Sequence, residues 1–236
     1  MNKRIIQVAI ITASSQGMGK ATASHLASLG YKVVLMARGE EVLNLANELG
    51  GLGIRGDVTK KEDIEALVKL ALDNYGRIDA VVNNTGGPAK GNLLEISDED
   101  WDNGLDLVLK SVVRMARLVT PVFEKQGGGA FVNISTYAAF EPDPRFPVSA
   151  PLRAALGSFT KLYADTYAAQ NIRMNCVLPG FVDSKPVKEA IVESIPMKRY
   201  AKMEEIAKTC AFLLSEDAAY ITGQNIKVDG GLTKGV

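Results

Sequence analysis

Short apolar runs alternate along the whole chain with longer segments of helical periodicity. Nearly continuous apolar runs are typical of strands buried on both faces. The predicted strands are Ile5–Thr12, Lys32–Met36, Ile54–Arg55, Ala80–Asn83, Ala130–Ile134, Arg173–Leu178 and Asn225–Val228. The predicted helices are Gly19–Leu29, Glu40–Leu49, Lys61–Tyr75, Asp98–Lys125, Ala150–Ala169 and Met203–Leu214, with a short one near Val187–Ile195. This alternation predicts an α/β fold, a single doubly wound domain over residues 1–236 with about seven parallel strands and helices on both faces.

The composition excludes several kinds of protein. Lysine plus arginine equals aspartate plus glutamate at 27 residues each, so neither nucleic acid nor a membrane surface is an expected partner. Two cysteines, Cys176 and Cys210, and one histidine, His25, are too few for a disulfide framework or a zinc site. We expect reduced core thiols and no bound metal. No apolar stretch is long enough to cross a membrane, and the first apolar run is too short for a signal peptide, so a cytoplasmic location is expected.

A turn containing glycines joins the first predicted strand to the first predicted helix. It reads Thr12-Ala13-Ser14-Ser15-Gln16-Gly17-Met18-Gly19. Glycines at such a turn let a pyrophosphate approach the backbone, and the helix N-terminus adds free N–H groups and a partial positive charge. The pattern predicts a dinucleotide site at Thr12, Ser14, Ser15, Gln16, Gly17, Met18 and Gly19. An ordinary strand-to-helix turn is the alternative, because Ala13 occupies the place of the first glycine in the related fingerprint.

The residue after the second predicted strand bears on which dinucleotide binds. An acidic side chain there holds the ribose 2′-hydroxyl of NAD(H), whereas an arginine suits the 2′-phosphate of NADP(H). The chain has Ala37 at this place, followed by Arg38, and this arginine favours NADP(H) over NAD(H). The alternatives are that Arg38 is simply solvated or that it pairs with Glu40 or Glu41.

Together with later segments, these residues resemble the short-chain dehydrogenase/reductase family over essentially the whole chain. The matching segments are Thr12–Gly19, Gly56-Asp57-Val58-Thr59, Val82-Asn83-Asn84-Thr85-Gly86, Pro179–Ser184, Tyr220–Gln224 and Asp229–Gly231. In length and C-terminal pattern the chain is most similar to the 3-oxoacyl-carrier-protein-reductase-like subgroup. The resemblance implies a Rossmann-type fold and a homo-oligomer, either a tetramer or a dimer. It also implies further cofactor contacts from Asp57, Val58, Asn84, Thr85, Gly86, Pro179, Gly180 and Val182.

The resemblance fails at the four positions that carry the family's chemistry. In the family an asparagine supports a water relay, a serine polarises the substrate carbonyl, and a tyrosine protonates it. A lysine lowers the pKa of that phenol and holds the nicotinamide ribose. The flanking motifs place these four positions on Val108, Thr136, Ser149 and Arg153. No member of the set is retained, so an atypical active site is expected.

Three of the replacements keep part of the required chemistry. Thr136 has a hydroxyl that can hydrogen-bond a carbonyl oxygen. Ser149 is a poor proton donor by itself, because an aliphatic alcohol is far less acidic than a phenol with a pKa of about 10. Arg153 stays protonated and can hold ribose hydroxyls or stabilise an oxyanion. We predict Thr136, Ser149 and Arg153 as catalytic residues, Arg153 also as a cofactor contact, and Tyr137 as an alternative proton donor.

Three functions are compatible with these residues. The first is an NADP(H)-dependent oxidoreductase acting on a small carbonyl, alcohol or imine, of which a protonated imine needs no proton from the enzyme. The second is a dinucleotide-binding sensor or scaffold without turnover, and the third is a structural relic that binds no dinucleotide. The expected substrate lid, Asp183–Met197, is short. Its Lys185 and Lys188 are candidates either for contact with an acidic substrate or for simple solvation.

Overall fold

Seven parallel strands form one sheet in the computed structural model, which describes residues 6–184 and 186–235. The strands are β1 (Val8–Thr12), β2 (Lys32–Ala37), β3 (Leu52–Arg55), β4 (Ala80–Asn83), β5 (Gly129–Ile134), β6 (Ile172–Pro179) and β7 (Asn225–Val228). Their order across the sheet is β3-β2-β1-β4-β5-β6-β7, which confirms the predicted doubly wound fold. The direction of winding reverses between β1 and β4, and ligands of such folds bind beyond the carboxyl ends of the strands at this point.

Helices cover both faces of the sheet. They are α1 (Gly17–Ser28), α2 (Glu41–Glu48), α3 (Lys61–Tyr75), α4 (Asp98–Leu105), α5 (Ser111–Gln126), α6 (Ser149–Tyr167), α7 (Glu189–Ser194) and α8 (Met203–Leu214). Alternate residues of β1 enter different cores: Ala9 and Ile11 pack with α1, α2 and α8, whereas Val8 and Ile10 pack with α3 and α5. Because both faces of the strand are buried, its sequence is an unbroken apolar run.

The predicted helical segment Asp98–Lys125 is helical throughout, but it is not a single regular α-helix. A π-helical turn at Asp106–Lys110 separates α4 from α5. Such a turn adds a residue to the helical repeat without breaking the apolar pattern, so the periodicity did not show it, and π turns are frequent beside functional sites. The turn carries Val108, which is buried.

The elements α3, α8, β4 and β7 have the predicted bounds, and the remaining boundaries differ by a few residues. β1 begins at Val8, and Ile5 of the predicted strand lies outside the described residues. Cys176 and Cys210 are buried free thiols, as predicted. None of the helices in the described ranges has the length and hydropathy needed to cross a membrane.

Candidate active site

The turn after β1 is held by hydrogen bonds to the ends of β2 and β4. The Thr12 hydroxyl donates to the Asn84 carbonyl (2.7 Å) and accepts from the Asn84 N–H (3.0 Å). Asn84 Nδ2 donates to the Ala13 carbonyl (3.0 Å), and the N–H of fully buried Ser14 donates to the Met36 carbonyl (3.2 Å). The side chains of Thr12, Ser14 and Asn84 therefore fix the shape of the turn through bonds within the protein.

The backbone of this turn leaves no room for larger residues and leaves the helix N-terminus open. Ala13 and Gly17 both have left-handed φ, +47° and +58°. A Cβ on Gly19 would lie 2.4 Å from the Ala13 carbonyl oxygen and 2.6 Å from Asn84 Nδ2. Gln16 precedes α1 in an extended conformation, and its side chain does not cap the helix. The first N–H groups of α1 are thus available to an anion. The remaining two predicted residues of the turn, Ser15 and Met18, are half-buried.

Two arginines lie at neighbouring strand ends, Arg38 directly after β2 and Arg55 as the last residue of β3. Arg55 pairs in register with Ala37, so it is next to exposed Arg38. Arg55 Nη1 binds Glu40 Oε1 at 3.1 Å, and Arg55 Nε donates to the Arg38 carbonyl at 3.3 Å. Within residues 6–184 and 186–235 the Arg38 guanidinium forms no ion pair, so the pairing with Glu40 or Glu41 considered above does not occur.

Asp57 lies in the loop between β3 and α3 and keeps part of its hydrogen-bonding capacity. Its Oδ1 accepts from the N–H and the hydroxyl of Thr59, both at 2.9 Å, while its own N–H donates to Asp63 Oδ2 at 2.7 Å. These bonds hold the Asp57 carboxylate at the carboxyl edge of the sheet. The structure therefore places Asp57 on the same side as the turn after β1.

A small cavity opens at the carboxyl ends of β1, β4 and β5, with room for about one water molecule. It brings together six residues singled out from the sequence: Thr12, Val58, Asn84, Thr85, Val108 and Arg153. The Thr85 hydroxyl is buried and has no hydrogen-bond partner among the described residues, whereas Gly86 next to it is exposed. An orphaned buried hydroxyl beside such a cavity marks a place where a ligand or a water completes the bonding.

Ser149 and Arg153 are in contact, one helical turn apart at the start of α6. Arg153 Nε donates to Ser149 Oγ (3.2 Å), and Arg153 Nη1 donates to the Ile134 carbonyl at the end of β5 (2.6 Å). Both side chains are buried, and no carboxylate of the described chain pairs with the guanidinium. Burial lowers the pKa of Arg153 to about 10, so the group remains a cation at neutral pH without a counter-ion.

Thr136 lies just beyond the end of β5 with its hydroxyl hydrogen available. Its Oγ1 accepts from the Ala138 N–H (3.4 Å) and begins a short helical turn over Tyr137–Ala139. The same strand end supplies the Ile134 carbonyl that holds Arg153. The three residues predicted as catalytic are therefore arranged around one strand end and one helix start.

The phenol of Tyr137 is occupied by a charged neighbour. The buried hydroxyl donates to Asp143 Oδ2 (2.5 Å) and accepts from Arg145 Nη2 (3.2 Å). Burial and the Asp143 carboxylate raise the pKa of Tyr137 well above its ordinary value. Although burial acts in the opposite direction, hydrogen bonds from Arg145 and Tyr137 lower the pKa of Asp143 to about 2. This arrangement disfavours the alternative in which Tyr137 is the proton donor.

The segment after β6 lies close to the turn after β1. Pro179 is the last residue of β6, and Gly180 packs so tightly that a Cβ would lie 2.9 Å from Asp229 Cα. Buried Val182 forms an isolated bridge with Ala201. A Cβ on Gly17 would lie 3.9 Å from the Ser184 Cβ, which brings the two segments together. Of the two lid lysines, Lys188 is exposed and Lys185 lies outside the described residues.

Asp143 and Arg145 were among the loop side chains considered from the sequence as substitutes for the missing catalytic groups, but their contacts with Tyr137 were not foreseen. Two contributors to the site were missed, and one of them, the Ile134 carbonyl, gave no signal because a backbone group has no characteristic spacing. Arg55 could have been found, since it ends a strand predicted to lie parallel to the one before Arg38. Adjacent parallel strands end at the same edge of a sheet.

Comparison with known proteins identifies relatives along nearly the full length of the chain. The family described as Enoyl-(Acyl carrier protein) reductase matches residues 12–233. Dehydrogenase/reductase SDR family member 4 of Oryctolagus cuniculus is 38% identical over 241 residues, covering 95% of this chain and 93% of the relative. The 3-oxoacyl-[acyl-carrier-protein] reductase FabG of Thermotoga maritima is 34% identical, covering 96% of this chain and 97% of that protein.

Solved structures show the same architecture. L-Sorbose reductase from Gluconobacter frateurii, in complex with NADPH and L-sorbose, superimposes with a TM-score of 0.91 at 32% identity over all of both chains. YwfH, an NADPH-dependent reductase involved in bacilysin biosynthesis, superimposes with a TM-score of 0.93 at 27% identity, covering 98% of this chain and 100% of that one.

Proposed function

The chain belongs to the short-chain dehydrogenase/reductase family, and from that premise we propose that it is an NADP(H)-dependent reductase of a small carbonyl compound with an atypical active site. The observation that carries this proposal is the contact of buried, unpaired Arg153 with Ser149 beside the dinucleotide turn. A cation with no counter-ion at this edge of the sheet suits a reaction in which negative charge develops on a substrate oxygen.

The residues present fit a bound NADP(H). The open N-terminus of α1 suits the pyrophosphate, and the lack of a side chain on Gly19 permits the turn its shape. Unpaired Arg38 suits the 2′-phosphate, and the orphaned Thr85 hydroxyl suits a ribose or nicotinamide group. When bound, the reduced nicotinamide supplies the hydride.

The protein's own part is to polarise the substrate carbonyl and to hold a proton for its oxygen. The Thr136 and Ser149 hydroxyls can each donate to that oxygen, because Thr136 Oγ1 and Ser149 Oγ accept from other groups and keep their hydrogens for a ligand. If Ser149 gives up its proton, the charge left on Oγ lies 3.2 Å from Arg153 Nε. The guanidinium stabilises that charge and compensates in part for the low acidity of an alcohol.

A neutral carbonyl fits this site better than a protonated imine. An iminium brings its own positive charge into a region that already holds a buried guanidinium without a counter-ion. Like charges a few ångströms apart in a partly buried site repel each other by several kcal/mol, of order 4 at an effective dielectric constant of 20. The alcohol reaction is the same chemistry in reverse and needs the same groups.

The test is steady-state NADPH oxidation with small ketones and aldehydes alongside cyclic imines. We expect turnover with carbonyl compounds, little with imines, and weaker activity with NADH. Arg153→Lys keeps a cation and is expected to retain more activity than Arg153→Met. Faster turnover of imines than of carbonyls, or equal activity of the two Arg153 variants, would contradict the proposed role of the guanidinium.

A second candidate function is a dinucleotide-binding sensor or scaffold without turnover. The observation in its favour is the engagement of the Tyr137 phenol with Asp143, which removes the nearest phenol as a proton donor. Fluorescence titration with NADPH, followed by the substrate panel, separates the two functions. Tight binding without turnover of any carbonyl, alcohol or imine supports the sensor or scaffold. If neither NADPH nor NADH binds, the result supports the third possibility, a structural relic that binds no dinucleotide.

We also propose a homo-oligomer, a dimer or tetramer. β7 ends the described sheet with one edge unpaired, and α6 and α8 expose Leu162 and Phe212. An open strand edge and exposed apolar side chains are both suited to contact with a second copy. Light scattering after size-exclusion chromatography tests this, and a monomer at micromolar concentration contradicts it.

A cytoplasmic location stays a prediction.

A further inference from the structure

The acidic residue that follows β2 is bound by an arginine from the neighbouring strand. Glu40 lies two residues after Arg38, close to the place where an acidic side chain selects the ribose 2′-hydroxyl of NAD(H). In the structure its carboxylate does not face Arg38. It pairs at 3.1 Å with Arg55 from the end of β3.

Arg55 is held in this position from two sides. One of its nitrogens binds the Glu40 carboxylate, and Nε donates to the Arg38 carbonyl at 3.3 Å. The strand register places Arg55 opposite Ala37, so its backbone is fixed by the sheet. The side chain thus joins the two strand ends at the point where the predicted 2′-phosphate subsite lies.

Without this pairing, Glu40 would oppose binding of a 2′-phosphate. A free carboxylate near Arg38 either pairs with its guanidinium or repels the incoming phosphate dianion. Both effects favour a dinucleotide with a 2′-hydroxyl. When Glu40 is paired with Arg55, it neither binds the Arg38 guanidinium nor repels the phosphate. The positive charge of Arg38 then remains available to the ligand.

We propose that Arg55 is a positioning residue for NADP(H) selectivity, which acts by holding the Glu40 carboxylate away from Arg38. This inference rests on the proposed NADP(H) dependence. It adds a selectivity residue that belongs neither to the turn after β1 nor to the predicted phosphate contact, Arg38. Arg55 itself does not need to touch the phosphate. Its effect passes through Glu40, and this distinguishes it from a second phosphate ligand.

The experiment compares two ligands that differ only in the 2′-phosphate. Adenosine 2′,5′-bisphosphate and adenosine 5′-phosphate are titrated calorimetrically into the wild-type protein, Arg55→Ala, Glu40→Gln and the double variant. Lys69→Ala, which breaks an exposed 2.7 Å pair with Asp73 on α3, is the matched control. Arg55→Lys tests whether another cation can hold Glu40.

Exposed ion pairs have modest energies, so the expected changes are modest. At low ionic strength, Arg55→Ala should weaken binding of the bisphosphate by about threefold to tenfold. Its affinity for the monophosphate should stay within about twofold of the wild-type value. Glu40→Gln and the double variant should both bind the bisphosphate at least as tightly as the wild type. Arg55→Lys should recover most of the loss, and Lys69→Ala should change nothing.

Two results would overturn the inference about Arg55 alone. Unchanged bisphosphate affinity in Arg55→Ala would show that the pair with Glu40 has no influence. A loss in the double variant as large as in Arg55→Ala would show that Arg55 binds the phosphate directly. If instead the wild type does not prefer the bisphosphate, the proposed NADP(H) dependence fails together with the inference.

Discussion

Replacing Ser149 and Arg153 singly and together tests whether they act as one unit. In the structure they share one hydrogen bond, Nε to Oγ at 3.2 Å, between two buried side chains. Removal of one donor to a developing oxyanion costs about 2.7–4 kcal/mol, or roughly 10² to 10³ in kcat. We expect Ser149→Ala and Arg153→Met each to lower kcat for carbonyl reduction by about that factor.

If the guanidinium works through the serine, the double variant should be little slower than the slower single variant, because residues of one unit are strongly non-additive. Stability must be measured in parallel, since Arg153→Met leaves the Ile134 carbonyl without its 2.6 Å partner. That loss costs about 1–3 kcal/mol of unfolding free energy, offset in part by removing a buried charge without a counter-ion.

The assay is the rate of NADPH oxidation at saturating ketone, with denaturant unfolding of each variant. Ser158→Ala is the matched control, because Ser158 is exposed on the same helix. The reasoning is refuted if Ser149→Ala keeps wild-type kcat, or if the two single effects simply multiply in the double variant.

Three further predictions follow from the turn after β1 and from the loop before α6. Ala13→Gly relieves a left-handed φ of +47° but loosens the unfolded chain, so the free energy of unfolding should change by less than about 1 kcal/mol while NADPH affinity is kept; a larger loss in denaturant unfolding contradicts this. Gly19→Ala should destabilise by about 1–3 kcal/mol and abolish NADPH binding in fluorescence titration, because its Cβ would lie 2.4 Å from a carbonyl oxygen; normal binding argues against the close approach. Asp143 has its pKa lowered to about 2, so it contributes stability above pH 4 that is lost as the pH falls through 2. Thermal unfolding of Asp143→Asn should therefore show a flatter dependence between pH 4 and 2, and an unchanged acid limb contradicts the shift.

The strand predictions succeeded because buried parallel strands are apolar on both faces. β4 and β7 were predicted with their observed bounds, since polar or turn residues flank each run. The helical segment over residues 98–125 was also predicted, but the π turn at Asp106–Lys110 within it was not. Hydrophobic periodicity records which face is buried, and it does not record one inserted residue within a turn.

For the site, chain order was enough to locate candidates but not to assign their contacts. The spacing of Ser149 and Arg153 places them on one helical face, so their contact was within reach of sequence reasoning. The sequence left open whether Arg38 pairs with Glu40. In the structure Glu40 pairs with Arg55 instead, because the strand register places Arg55 beside the end of β2. Tyr137 is an alternative proton donor by sequence, but in the structure its hydroxyl is hydrogen-bonded to Asp143, which comes from the following loop.

By itself the sequence determined the α/β architecture, and it predicted ligand binding at the carboxyl edge of the sheet and the replacement of the usual catalytic side chains. These follow from local periodicity and residue identity, which do not depend on distant partners. Only the tertiary structure decided which polar groups are already paired and which remain available. Among the residues that the structure describes, Arg153 has no counter-ion and the Thr85 hydroxyl has no partner, whereas the Tyr137 phenol is already hydrogen-bonded. Burial and long-range contacts set these states. Hydrogen-bonding capacity belongs to the residue type, but its use is decided by neighbours that lie far away in the chain.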